Sequence, residues 1–132
     1  MGGGLRLLAD THALLWWLSG SRALPKGAHA AFADNTNQVF VSAASAWEIT
    51  TKHRLDKFPE ADLIAADVEG SIRRHGFEPL PVTMAHAELA GRLEGRHRDP
   101  FDRMLIAQAL LENLRVVSNE SAFDAFGVSR LW

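Results

Sequence analysis

An α/β fold, with a central, mostly parallel sheet of about five strands flanked by helices, is what this sequence predicts. Three observations lead there. Short apolar or β-branched runs alternate with segments of helical spacing from one end to the other. That strand–helix–strand rhythm argues for a parallel sheet covered on both faces. The chain has 132 residues, enough for one domain with a sizeable core. No internal repeat, linker or low-complexity block divides it, so residues 1–132 read as a single domain.

The elements follow in order. Residues 1–4, "MGGG", read as a flexible leader. "LRLLA" (5–9) is a short buried strand. "HALLWWLSG" (12–20) is a helix that stops at Ser19-Gly20. "PKGAHAAFADNT" opens a helix with Pro25 at its first position and ends in turn residues. "QVFVS" (38–42), β-branched and aromatic, is a strand. "SAWEITTKHRL" (45–55) has helical spacing. "ADLIAADVEGSIRRHG" (61–76) is a stronger amphipathic helix, closed by Gly76. "FEPLPV" (77–82) carries two prolines, which make it a short or edge strand. Thr83 caps a helix over 83–93, and "EGRHRD" is a loop. "PFDRMLIAQALLENL" (100–114) is the clearest helix. "RVVS" is a strand, "ESAFDAFG" a short helix and "SRLW" a final strand.

Composition excludes several functions. There is no cysteine, so disulfides and thiolate metal sites are ruled out. No apolar stretch reaches the roughly 20 residues that span a bilayer. The first residues resemble neither a signal nor a transit peptide. A cytoplasmic protein without membrane contact is expected. The formal net charge is −2. A nucleic-acid binder that works by phosphate neutralisation is usually basic. Any such function must rest on a local site or a metal ion.

Acidic residues offer that local site. Asp10 ends an apolar run and precedes another, where a carboxylate is costly unless paired. It falls at the carboxyl end of a strand, where parallel sheets place their sites. Glu48 follows "QVFVS" and is expected in the first turn of the next helix. Ser45-Ala46-Trp47-Glu48 also matches a capping box, a purely structural alternative. Asp99 reads as an N-cap before Pro100, with Asp102 in the first turn. Glu120 follows "RVVS" closely and can equally be a cap. Topology gathers these acids on one rim, with no basic partner evident. Like charges raise each other's pKa. Hard divalent cations, Mg²⁺ or Mn²⁺, relieve such a cluster and suit phosphodiester hydrolysis.

Other chemistries lack support. The six histidines form neither H-E-x-x-H nor H-x-x-E-H, and no G-x-S-x-G or Gly-rich phosphate loop occurs. A phosphotransferase with an aspartyl nucleophile would show a second Asp at position 12, where His12 stands. His97, near Asp99, reads as a loop residue.

At this point the chain resembles the PIN-domain ribonucleases, and among them the toxins of VapBC-type toxin–antitoxin pairs. The matching pieces are "LLADTHALLWWL", "VFVSAASAWEI", "HRDPFDRMLIAQAL", "RVVSNESAF" and "GVSRLW", which together cover almost the whole chain. The resemblance implies a three-layer PIN-like fold and a Mg²⁺- or Mn²⁺-dependent endoribonuclease. It implies Asp10, Glu48 and Asp102 as catalytic acids that, with Glu120, hold the metal. Glu120 stands where the family has Asp or Asn. Asp99, Thr11 and Ser118 are implied as assisting residues. It further implies a homodimer, neutralised by a VapB-type antitoxin. Arg96, Arg98 and Arg103 are the expected RNA contacts beside the acids. Trp16, Trp17, Trp47 and Phe40 read as core, with partner surface as their alternative role. The competing reading of the whole is a PIN-like protein-binding module with weak catalysis.

Overall fold

The computed structural model describes residues 4–132, apart from the side chain of Glu60. In chain order the first half runs β1 (Arg6–Ala9), α1 (Thr11–Ser19), α2 (Lys26–Ala33), β2 (Gln38–Ser42) and α3 (Ala43–Arg54). A 3-10 turn (Pro59–Ala61) leads to α4 (Asp62–Ala66), α5 (Val68–Arg74) and β3 (Glu78–Leu80). The second half holds α6 (Met84–Arg92), α7 (Pro100–Glu112), β4 (Arg115–Val117), a 3-10 turn (Ser121–Phe126) and β5 (Arg130–Leu131).

The five strands form one sheet in the order β3-β2-β1-β4-β5, and every pairing is parallel. Side chains alternate between faces with the period of two that a strand imposes. Leu7, Ala9, Val39, Val41 and Val117 pack on one face, against Leu14, Ile49 and Ile72 from the first-half helices. Leu8, Phe40 and Val116 pack on the other, against Leu105, Ile106 and Ala109 of α7. Both faces are covered, as the alternating sequence implied.

Local chemistry explains most boundaries. Gly20 ends α1 in the left-handed conformation, at φ +69°, and its N–H caps the carbonyls of Trp16 and Trp17. Pro25 is the cap of α2 and not its first residue. The single helix expected over 61–76 is broken. Asp67 stops α4 and caps α5, with Oδ1 accepting from the Gly70 N–H at 2.9 Å. Such side chains compete with the helical ladder for backbone donors. A Cβ at Gly70 would lie 2.0 Å from Asp67 Oδ2, so this cap needs glycine there. The proline-bearing β3 is indeed an edge strand.

The leader expected over residues 1–4 lies mostly outside the described residues. Gly4 is the one member described. Its backbone approaches Thr36 so closely that a Cβ would sit 1.5 Å from the Thr36 carbonyl oxygen. No helix among the described residues is long and apolar enough to cross a membrane.

The strand order positions the site. From β1 the chain steps outward through β2 and β3, then returns to the other side of β1 for β4 and β5. The crevice at such a reversal, above the carboxyl ends of the strands, is where open α/β sheets bind ligands. Ala9 pairs with Val117 there, so the residues that follow them meet at the rim.

Candidate active site

Asp10 leaves β1 at that reversal. It occupies the cap position of α1, yet its carboxylate makes no capping hydrogen bond. Its side chain turns instead to Ser118, the residue after β4, whose hydroxyl donates to Asp10 Oδ2 at 2.6 Å. The Asp10 backbone N–H donates to the Val117 carbonyl at 3.1 Å, extending the strand pairing by one step. Asp10 is buried. Burial raises its pKa, and the Glu48 charge adds to this. The Ser118 hydrogen bond, the His12 charge and the Thr11 backbone N–H oppose the rise.

Glu48 lies deeper in its helix than the sequence suggested. Helix α3 starts at Ala43, with the Ser42 hydroxyl accepting from the Ala44 N–H at 3.0 Å. Glu48 therefore sits in the second turn, and the capping box at Ser45 does not form. The residue is 4% exposed and faces the interior. Thr11 ties α1 to this helix, its hydroxyl donating to Ser45 Oγ at 3.0 Å in a buried contact.

Asp102 stands in the first turn of α7, and its pKa is raised to about 6. Burial is the main cause, with the charges of Asp10 and Asp99 adding to it, while His97 opposes the rise. Asp99 is the N-cap its sequence context suggested. Its Oδ1 accepts from the N–H groups of Phe101 at 2.9 Å and Asp102 at 3.2 Å.

The acids do not stand without basic partners, and here the structure corrects the sequence reading. Lys52 Nζ donates to Glu48 Oε2 at 2.6 Å. Burial disfavours the Lys52 ammonium. The hydrogen bond to Glu48 and the charges of Glu48, Asp99 and Asp102 outweigh that and hold its pKa above the ordinary value. His97 Nε2 lies 2.7 Å from Asp102 Oδ2. With Glu48 turned onto Lys52 and Asp102 onto His97, no three His, Asp or Glu side chains among the described residues are arranged to hold one ion. The i,i+4 spacing of Glu48 and Lys52 was a signal available in the sequence. For His97, reached through a loop fold, no local signal existed.

Two further expectations change. Glu120 is exposed and caps the following 3-10 turn, its Oε1 accepting from the Ala122 N–H at 3.1 Å. It reaches the site through its backbone, whose N–H donates to Ser118 Oγ at 2.9 Å. One carboxylate oxygen serves the cap, because a Glu at this position can satisfy a nearby orphan donor. Arg103 is turned into the protein. Its guanidinium donates to the carbonyls of Ala90 and His97, both at 3.0 Å, and of Leu93. It thereby shapes the loop that carries His97. Arg96 and Arg98 are exposed on that loop.

A family model described as PIN domain matches residues 7–128. A curated relative, Ribonuclease VapC16 of Mycobacterium tuberculosis, is 45% identical over 53 residues. The matched segment spans 40% of this chain and 38% of that relative. Among solved structures, the DNA-bound VapBC of Salmonella typhimurium is similar at a TM-score of 0.70 and 24% identity, covering 96% of each chain. VapBC2 of Rickettsia felis, bound to a promoter DNA fragment, gives 0.68 at 15% identity, over 96% of this chain and 97% of that one. FitAcB of Neisseria gonorrhoeae gives 0.64 at 19%, over 94% and 95%. At these identities the structural likeness establishes the fold.

Proposed function

The chain belongs to the PIN domain family, and on that premise we propose that it is a divalent-metal-dependent endoribonuclease of the VapC toxin type. One observation carries this reading. Three carboxylates, those of Asp10, Glu48 and Asp102, reach one sheet rim, and those of Asp10 and Asp102 have raised pKa values. Lys52 offsets only part of their charge, and acids brought this near one another favour a further neutralising cation.

The donor chemistry fits Mg²⁺ or Mn²⁺, since every candidate ligand is a hard carboxylate oxygen. Asp10, Glu48 and Asp102 would hold the ion, in exchange for the contacts that Lys52 and His97 make now. When bound, such an ion activates a water and polarises the phosphate. The chain's own residues do the rest. Ser118 fixes the orientation of the Asp10 carboxylate. Asp99 holds the first turn of α7, and so the backbone of Asp102. Lys52, half-buried among the acids, is set to offset phosphate charge. RNA contact falls to the exposed Arg96 and Arg98.

Partners follow the same reading. The relative at 45% identity is named a ribonuclease, and the similar structures are of VapBC and Fit complexes. We take a small VapB-type antitoxin as the inhibitor and a homodimer as the toxin's own assembly, both in the cytoplasm with the RNA. An apolar groove of about 490 Å³, flanked by Trp47, Val82 and Phe101, lies beside α7 and suits a protein partner. Trp47 at its edge is 64% exposed. The test is cleavage of a panel of structured and unstructured RNAs, with Mn²⁺ or with EDTA. Metal-dependent cleavage, abolished by Asp10→Asn, is expected. No cleavage of any RNA would favour the protein-binding module instead.

A further inference from the structure

A second feature adjoins the acids, on the α1 side. His12, Leu15, Trp16, Ser19, Ser21 and Ile64 are among the residues lining a cavity of about 290 Å³. This is at the low end for a whole small-molecule ligand, roughly 300–1,000 Å³, and suits a single ring system. Two of its walls are aromatic, His12 and the partly buried Trp16. His12 and Trp16 are tilted by 56° at 6.1 Å between centroids. Trp132 stands beside Trp16, tilted by 49° at 5.8 Å. Phe58 packs on His12 in a T-shaped arrangement, at 84° and 5.7 Å between centroids. His12 is exposed and only two residues beyond Asp10.

The cavity also offers polar edges. The Ser21 hydroxyl accepts from the Ala23 N–H at 3.1 Å, so its own proton is available to a ligand. Ser19 makes only a long contact, 3.5 Å, to the Trp16 carbonyl. Aromatic rings plus a few hydroxyls are how single-stranded nucleic acid is held, with unpaired bases stacked on aromatic side chains and read along their edges. The groove beside Trp47 differs, being lined almost wholly by apolar atoms.

We propose that the His12–Trp16 cavity is a subsite for one unpaired nucleobase, next to the phosphodiester that the acids address. This rests on the ribonuclease reading above, and the test separates the two.

Short single-stranded RNAs, each with one base removed in turn, are titrated against the full chain in EDTA. Loss of the base at one position should weaken binding by about 10-fold, the scale of a base–aromatic stack. His12→Leu and Trp16→Leu should weaken the intact RNA similarly and abolish the difference between intact and abasic RNA. Equal affinity of the parent for every abasic RNA overturns the subsite. If Trp16→Leu unfolds by circular dichroism, His12→Leu, whose ring is exposed, decides. Cleavage with Mn²⁺ but no abasic effect overturns the subsite alone. An abasic effect without any cleavage leaves the subsite standing and removes the ribonuclease reading. Unchanged RNA affinity with an altered oligomeric state would assign the rings to a protein interface and overturn the proposal.

Discussion

The hydroxyl of Ser118 donates to Asp10 Oδ2 at 2.6 Å, joining the ends of two adjacent strands across 108 positions of sequence. The contact opposes the rise that burial imposes on the Asp10 pKa. Ser118→Ala should therefore destabilise the protein by about 1–3 kcal/mol at pH 7, the cost of leaving a buried polar group unsatisfied. The loss should shrink at lower pH, as Asp10 takes up a proton. Urea denaturation in EDTA at several pH values measures it. A loss that does not depend on pH would mean the hydroxyl serves the Glu120 N–H rather than Asp10.

Lys52 is the partner of a nearly inaccessible Glu48. Lys52→Met keeps the length of the stem, and its packing near the rings of Phe58 and Phe101, but removes the charge. Without metal the variant should lose about 1–3 kcal/mol, since Glu48 is left buried and uncompensated. Added Mn²⁺ should then raise its melting temperature more than the parent's, because binding to the folded state stabilises by mass action. Equal shifts in the two proteins would count against Glu48 as a ligand.

Arg98 and Arg103 should part company in a salt titration. Arg98→Ala is expected to flatten the dependence of RNA affinity on log salt by about 0.7, one phosphate contact on a single strand. Arg103→Ala should leave that slope unchanged. It should instead cost about 1.5–3 kcal/mol of stability, the scale of a hydrogen bond from a charged group, because it releases the carbonyls of Ala90, Leu93 and His97. A changed slope in Arg103→Ala would return that residue to the RNA path.

The pKa of Asp102, raised to about 6, has a signed consequence for stability. Between the ordinary value of 3.8 and about 6, the folded protein holds more proton at this site than the unfolded chain. Stability then falls as pH rises through that window, and the loss is complete above it. Asp102→Asn, which imitates the protonated form, should be progressively more stable than the parent across the same window, in EDTA. Thermal melts at steps of pH follow the difference. A difference that falls with rising pH would show that the His97 contact outweighs desolvation.

Much of this protein was readable in its sequence. Runs such as "QVFVS" and "RVVS", separated by segments of helical spacing, determined a parallel sheet covered on both faces. Asp10 after β1 and the Asp99-Pro100 start of α7 were determined locally too, because strand ends and helix caps depend on a few adjacent residues. Two local caps differ from the expected ones: Ser42 starts α3 at Ala43, which puts Glu48 in the second turn instead of the first, and Asp67 splits one expected helix into α4 and α5. Tertiary structure decided the rest. Packing, not spacing, aimed Arg103 at the carbonyls of Ala90, Leu93 and His97. The same holds for His97, which meets Asp102 only because that loop folds back onto α7. A side chain's direction and its partner depend on distances between segments, which a pattern of neighbours along the chain does not encode.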